Sequence, residues 1–171
     1  METDRKLYLG KFRGTVLNNV DPQQIGRLLV TVPDVPLASS SWALPCFPFT
    51  GTQAGAWWLP SIGAGVWVEF EQGDPDYPIW AGCYYGSASE VPTMALAAPP
   101  AVPNIVLQTT AQNIFMLSDV PGPTGGIMLK TTSGAFISIS AVGITISNGQ
   151  GATISMSGPT VNVNAGALTV T

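Results

Sequence analysis

Apolar and polar residues alternate strictly through the second half of the chain, in short units. These are Ile137-Ser-Ile-Ser140, Ile144-Thr-Ile-Ser147, Ile154-Ser-Met-Ser157, Val161-Asn-Val-Asn164 and Leu168-Thr-Val-Thr171, with starts 7, 10, 7 and 7 residues apart. Alternation of period two predicts strands with the aliphatic residues on one face and Ser, Thr or Asn on the other. Gly134, Gly143, Gly151, Gly158 and Gly166 fall between the units, where a sharp corner favours a residue free in φ. The units form an internal repeat.

A four-residue strand covers about 13 Å. A β-helix made by one chain needs three such sides to close a rung, which predicts a repeat near 20 residues. The seven-residue spacing instead predicts one side per rung from each of three chains. The expected architecture is a homotrimeric, intertwined triple-stranded β-helix or β-prism. Its axis would be lined by Ile137, Ile139, Ile144, Ile146, Ile154, Met156, Val161, Val163, Leu168 and Val170. Burying them would contribute about 15–30 kcal/mol per chain as an upper bound. Five units stacked at about 4.8 Å make a shaft of roughly 24 Å.

The first half predicts shorter, less regular strands at Leu7–Leu17, Ile25–Val32, Trp42–Phe47, Gly65–Glu71 and Pro78–Tyr85. The last two flank Gln72–Tyr77, a turn segment rich in Gly, Asp and Pro. Val66, Val68 and Phe70 should face inward, with Trp67, Glu69 and Glu71 outward. Five β segments without helical periodicity fit a small closed barrel such as the OB-fold. The fold class is therefore all-β, with an OB barrel over residues 1–94, a Pro/Ala-rich linker over 95–104 and the β-prism over 105–171.

Charge sharpens that division. Only Asp119 and Lys130 follow Glu90, and no charged residue lies between Thr131 and Thr171. Charged residues are 9% of the chain, against about 25% in an average soluble domain. Mean hydropathy is +0.30. Such a surface suggests burial against other chains. The net charge of −4 gives no electrostatic footprint for nucleic acid. No apolar run is long enough for a membrane helix, and the first residues lack a signal-peptide pattern. Synthesis in the cytoplasm without a signal peptide is the expectation. The chain has no histidine, which removes the commonest general base and metal ligand. Cys46 and Cys83 are expected to be small buried hydrophobes, not a disulfide.

Four blocks of the first half resemble the OB domain of phage baseplate assembly protein V and of VgrG, the spike of type VI secretion. They are Asp21-Pro22-Gln-Gln-Ile25-Gly26-Arg27 running into Val30-Thr-Val-Pro33, then Trp42-Ala43. Leu59-Pro60 through Gly63 to Glu71 follows, and then Gly73-Asp74-Pro75-Asp76-Tyr77-Pro78-Ile79 with Gly82. The resemblance covers about residues 8 to 86, and a glycine-punctuated β repeat follows it in that family too. It implies a trimeric, non-enzymatic central spike on the axis of a contractile injection machine, part of a phage-like particle. The barrel would seat on a baseplate hub protein, and the target membrane would be met only during injection. Neither a lysozyme domain nor the large N-terminal hub region of type VI spikes accompanies these blocks. A separate hub protein is therefore expected.

The end of the repeat at Leu168, Thr169, Val170 and Thr171 would leave an open rung, a template for further pairing. These four residues are the expected docking site of another protein, and the resemblance implies a small conical PAAR-repeat tip.

Other groupings were weighed. Glu69, Glu71, Asp74 and Asp76 could be a carboxylate pair or a Ca²⁺ site, but they read better as outward strand residues and a hairpin whose aspartates hold turn amides. Trp42, Trp57, Trp58, Trp67 and Trp80 could stack on sugars or serve protein contact. Gly51–Gly55 lacks the lysine and the helix of a phosphate loop. No catalytic, cofactor-binding or metal-binding residue is expected. The alternative function is a trimeric carbohydrate-binding or adhesin tail module.

Overall fold

In a computed structural model, residues 6–36 and 41–170 are described. The chain forms two compact units, Met1–Ala88 and Ser89–Thr171.

The first unit is a closed barrel. Strands β1 (Phe12–Asn18), β2 (Leu28–Thr31), β3 (Trp42–Pro45), β6 (Gly65–Phe70) and β7 (Pro78–Tyr84) pair in the order β1-β2-β3-β7-β6, with β6 returning to β1. The β3–β7 junction is parallel and the others are antiparallel, which gives the five-stranded OB architecture expected. A two-residue hairpin, β4 (Thr50–Gly51) with β5 (Ala54–Gly55), stands apart from it. Alternation along β6 works as expected: Val66 and Val68 are fully buried and Phe70 nearly so. They pack with Val16, Leu28, Val30, Ala43 and Trp80 into one core. Gly14 explains the tightness where β1 crosses β6, since a Cβ there would lie 2.9 Å from Val68.

The second unit is a single antiparallel meander of eight strands. They are β8 (Asn104–Gln108), β9 (Ile114–Ser118), β10 (Gly126–Lys130), β11 (Phe136–Ser140), β12 (Gly143–Ser147), β13 (Thr153–Ser157), β14 (Thr160–Val163) and β15 (Leu168–Val170), in sequence order. A one-turn helix, α1 (Thr93–Leu96), precedes them. Its Ala95 carbonyl accepts a hydrogen bond from Asn104 Nδ2 at 3.1 Å.

This arrangement corrects two steps of the sequence argument. Each unit of the repeat pairs with the next one in its own chain. Five strand residues and the two-residue turn Ala141–Val142 make the period of seven, and the wider turn between β12 and β13 makes the spacing of ten. The period is thus that of a meander of hairpins, and the ladder needs no intertwining. The meander also begins three strands before the alternating repeat. Strands β8 to β10 each carry an unbroken apolar run (Ile-Val-Leu, Ile-Phe-Met-Leu, Ile-Met-Leu), so they show no period of two. Counted in the same way, eight strands at about 4.8 Å make the sheet roughly 38 Å, longer than the five units alone.

Candidate trimer interface

Register decides which residues share a face. Ile137 sits opposite Ile146, which sits opposite Ile154, then Val163, then Leu168. In the other direction Ile137 faces Leu129, then Phe115, then Leu107. A second column runs Ile105, Leu117, Ile127, Ile139, Ile144, Met156 and Val161, with Val170 opposite Val161 by register. Every position in both columns is apolar. The ten residues expected on a threefold axis therefore fall on one face by register. Sequence reasoning missed the first three positions of each column, from β8, β9 and β10, because it searched for polar partners between the apolar residues.

The face is uncovered in the single chain. Ile137, Ile139, Ile146 and Ile154 keep 39–42% of their surface exposed, and Ile105 and Leu107 keep 57% and 63%. Neighbours along each column already cover about three-fifths of the central isoleucines. Covering the remainder would contribute about 1 kcal/mol per side chain, well below what full burial from water would give. Among the described residues of this unit only Met116 is a fully buried hydrophobe, at 3% exposure. It lies on the opposite face, between Val106 and Met128.

From β11 onward that opposite face changes chemistry. Ser138, Thr145, Ser155 and Asn162 stand in cross-strand register, forming a polar column without charge. The turns joining the strands are close-fitting. At Gly143, φ is +138° and a Cβ would lie 2.1 Å from the Met156 carbonyl oxygen, so a side chain there would collide with the ladder. Of the C-terminal residues expected to dock a tip, Leu168 is 59% exposed. Thr169 and Val170 are placed only as backbone in β15, and Thr171 lies outside the described residues.

In the barrel, the first resemblance block turns out to be a latch. Asp21, 8% exposed, accepts the Arg27 guanidinium at 2.9 and 2.7 Å. It also accepts the backbone N–H groups of Gln23, Ile25 and Arg27. The Arg27 side chain, helped by these amides, outweighs desolvation and holds the carboxyl well below the usual carboxylate range. Gly26 closes the loop: φ is +85°, a Cβ would lie 3.2 Å from Phe47, and its carbonyl accepts Trp80 Nε1–H at 3.0 Å. A lone Asp six residues before an Arg, inside a turn-rich loop, was the only signal of this latch in the sequence.

The remaining groupings take the following places in the fold. Asp74 Oδ1 accepts the Asp76 N–H at 3.1 Å, as a turn aspartate does. Glu69 pairs with Lys11 at 2.6 Å across exposed surface. No group of three or more metal-ligating side chains is found among the described residues. Trp80 is core, and Trp67 packs at a tilt against Tyr84 beneath Arg13. Trp57 and Trp58 lean on Phe47 while staying 59% and 48% exposed. The thiols depart from expectation: Cys46 and Cys83 are free and exposed. Cys83 lies past an irregularity in the β6–β7 register that follows buried Trp80, and Cys46 follows the end of β3. No helix among the described residues is long and apolar enough to cross a membrane.

Comparison with known proteins agrees with this anatomy. Residues 12–85 match the type VI secretion system/phage-baseplate injector OB domain, and residues 104–169 match the phage baseplate V C-terminal trimerisation domain. The type VI secretion system spike protein VgrG4b of Pseudomonas aeruginosa is 39% identical over 54 residues, covering 32% of this chain and 7% of that protein. A barrel of the injector type followed by an uncovered apolar sheet of the trimerisation type places the chain in the phage baseplate V and VgrG-like family of injection-machine spikes.

Proposed function

We propose that the chain is the structural central spike of a phage-tail-like contractile injection system, built as a homotrimer. The observation that carries this reading is the uncovered face of two apolar columns running the length of the sheet. Three copies turned inward would cover one another's columns and close a prism. Two sheets face to face would also bury the columns, so stoichiometry is the test. Sedimentation equilibrium of the isolated protein should give about three times 17.8 kDa; a stable monomer or dimer would overturn the reading.

In this role the chain works by shape and association, without catalysis, within an assembled particle. The barrel seats on a hub protein, and β15 at the far edge of the sheet carries a PAAR-like tip. The place of β15 as an edge strand among the described strands and the exposure of Leu168 support the second contact. Deleting Ala167–Thr171 should abolish capture of the tip protein while leaving the trimer intact, and undiminished capture would move the docking site elsewhere. The carbohydrate-binding alternative draws on the exposed rings of Trp57 and Trp58. Binding of the isolated protein to a glycan array would favour it.

A further inference from the structure

We infer that the two lateral edges of the sheet form a head-to-tail contact between copies, in which the short turn Ala141–Val142 of one chain seats against the long turns of the next. This rests on the trimeric reading and adds the contact that closes each corner of the shaft. The two edges are unlike. Along one, strands are joined by five-residue turns, 109–113, 131–135 and 148–152. Their tips are polar, with Thr132, Ser133, Asn148 and Gln150 all exposed. Along the other edge, β11 and β12 are joined by Ala141–Val142 alone, and β13 and β14 by Gly158–Pro159 alone. Val142 is 58% exposed, and Pro159 is exposed too. Two-residue hairpin turns favour Asn-Gly or Asp-Gly, so turn chemistry does not account for an apolar, β-branched tip.

The apolar face is skewed to match. In β12 and β13 the residue beside the long turn stays exposed, Ile146 at 39% and Ile154 at 40%. Its neighbour beside the short turn, Ile144 or Met156, is half-buried. One edge thus leaves apolar surface uncovered and the other offers apolar tips. Complementarity between unlike patches of one chain is the kind that closes a ring of copies.

Height along the shaft sets the register. A threefold rotation about the shaft axis keeps every residue at its own level. The turn 141–142 lies level with the junction of β11 and β12, where Ile137 and Ile146 stand opposite each other. At that same level the turns 131–135 and 148–152 touch through glycine. A Cβ on Gly149 would lie 2.7 Å from the Ala135 nitrogen and from the Gly134 carbonyl carbon. The junction therefore carries no side chain and forms a saddle beside Ile137 and Ile146, which Val142 of the adjacent copy would fill. A single exposed valine needs no explanation; one that is level with a glycine saddle and an exposed isoleucine pair has a complement in its own sequence.

The test uses the whole chain carrying Cys46→Ser and Cys83→Ser, which removes both native thiols. Ser133→Cys then marks the long edge and Val142→Cys the short one. Within one chain these positions are a strand length apart, about 17 Å, beyond the reach of a disulfide. After oxidation, or reaction with a short bismaleimide, the double variant should run as covalent dimers and trimers under denaturing conditions. Each single variant should run as monomer. Thr110→Cys with Val142→Cys controls for height, because the turn 109–113 lies three strand spacings from Val142, about 14 Å, and should give no link. A trimer that forms no link between positions 133 and 142, or links as readily through position 110, would overturn the inference. So would linkage through Val142→Cys alone, which would set short turns against each other. Sedimentation equilibrium of the cysteine-free chain comes first. If that chain is not trimeric, the proposed function fails, whatever the thiols do.

Discussion

The barrel and the meander hold comparable numbers of residues and are both all-β, yet they bury their apolar residues in opposite ways. In the barrel Val16, Leu28, Ala43, Val66, Val68 and Trp80 are at or below 1% exposure, because closing the sheet gives it an inside. The meander has no inside of its own. Its isoleucines alternate as regularly as the barrel's valines, and they end two-fifths exposed. Alternation therefore specifies a face and leaves open what covers it. A closed sheet covers its own face, whereas an open one relies on other copies. Conformational entropy sets the consequence, since ordering a strand costs about 1–2 kcal/mol per residue in backbone freedom alone. The barrel can offset that cost within one chain; the meander recovers part of it only on association.

The difference can be tested by damaging each region in turn. Ile144→Asp or Ile154→Asp should have the largest effect, placing three like charges in one layer of a dry axis, where an unpaired ion costs several kcal/mol. Sedimentation should show the trimer lost, while Thr145→Asp or Ser155→Asp, one position away, keeps it. Equal damage from both sets would mean the two faces are assigned the wrong way round. Leu28→Ala in the barrel should behave differently: about 2–5 kcal/mol of stability lost in denaturant unfolding, with the trimer mass unchanged. Loss of trimer from that substitution would mean the two units do not fold independently.

The smallest and most conditional effect concerns pH. Asp21 is held below its ordinary value in the folded barrel, so the latch contributes its full stability above the unfolded carboxylate pKa of about 3.9. That contribution is lost as pH falls below this value toward the lower folded one. Thermal melts followed by tryptophan fluorescence should show the barrel weakening below about pH 4. In Asp21→Asn the barrel should be weaker at neutral pH and flatter in acid. An identical acid profile in the variant would remove Asp21 as the cause.

Much of the architecture was legible from residues alone, for a local reason. Side-chain direction reverses at every step of a pleated strand, so Ile137 to Val163 declare a face without any knowledge of neighbours. Val66, Val68 and Phe70 declare the barrel's inside equally well. The charge boundary near Glu90, the turn role of Asp74 and the positions of the barrel strands were readable too, from composition, turn chemistry and β-rich segments. Three features were not. Strands β8–β10 were hidden because both of their faces are apolar, which erases the period. The outward placement of Cys83 depended on its position relative to Trp80 in a strand whose packing had yet to be seen. The Asp21 latch joins a side chain to amides along a loop, a contact with no period at all.

By itself the sequence determined that the molecule is all-β, that its second half repeats, and that ten named aliphatic positions belong to one face. The tertiary structure decided who pairs with whom. Ladder hydrogen bonds join backbone to backbone and are nearly blind to side chains, so a seven-residue period fits one side of a three-chain rung and one hairpin of a meander equally well. Only the fold distinguishes them, through turns short enough at Ala141–Val142 to return each strand onto its own predecessor. Those turns place the strand ladder within one chain and leave the apolar columns uncovered there.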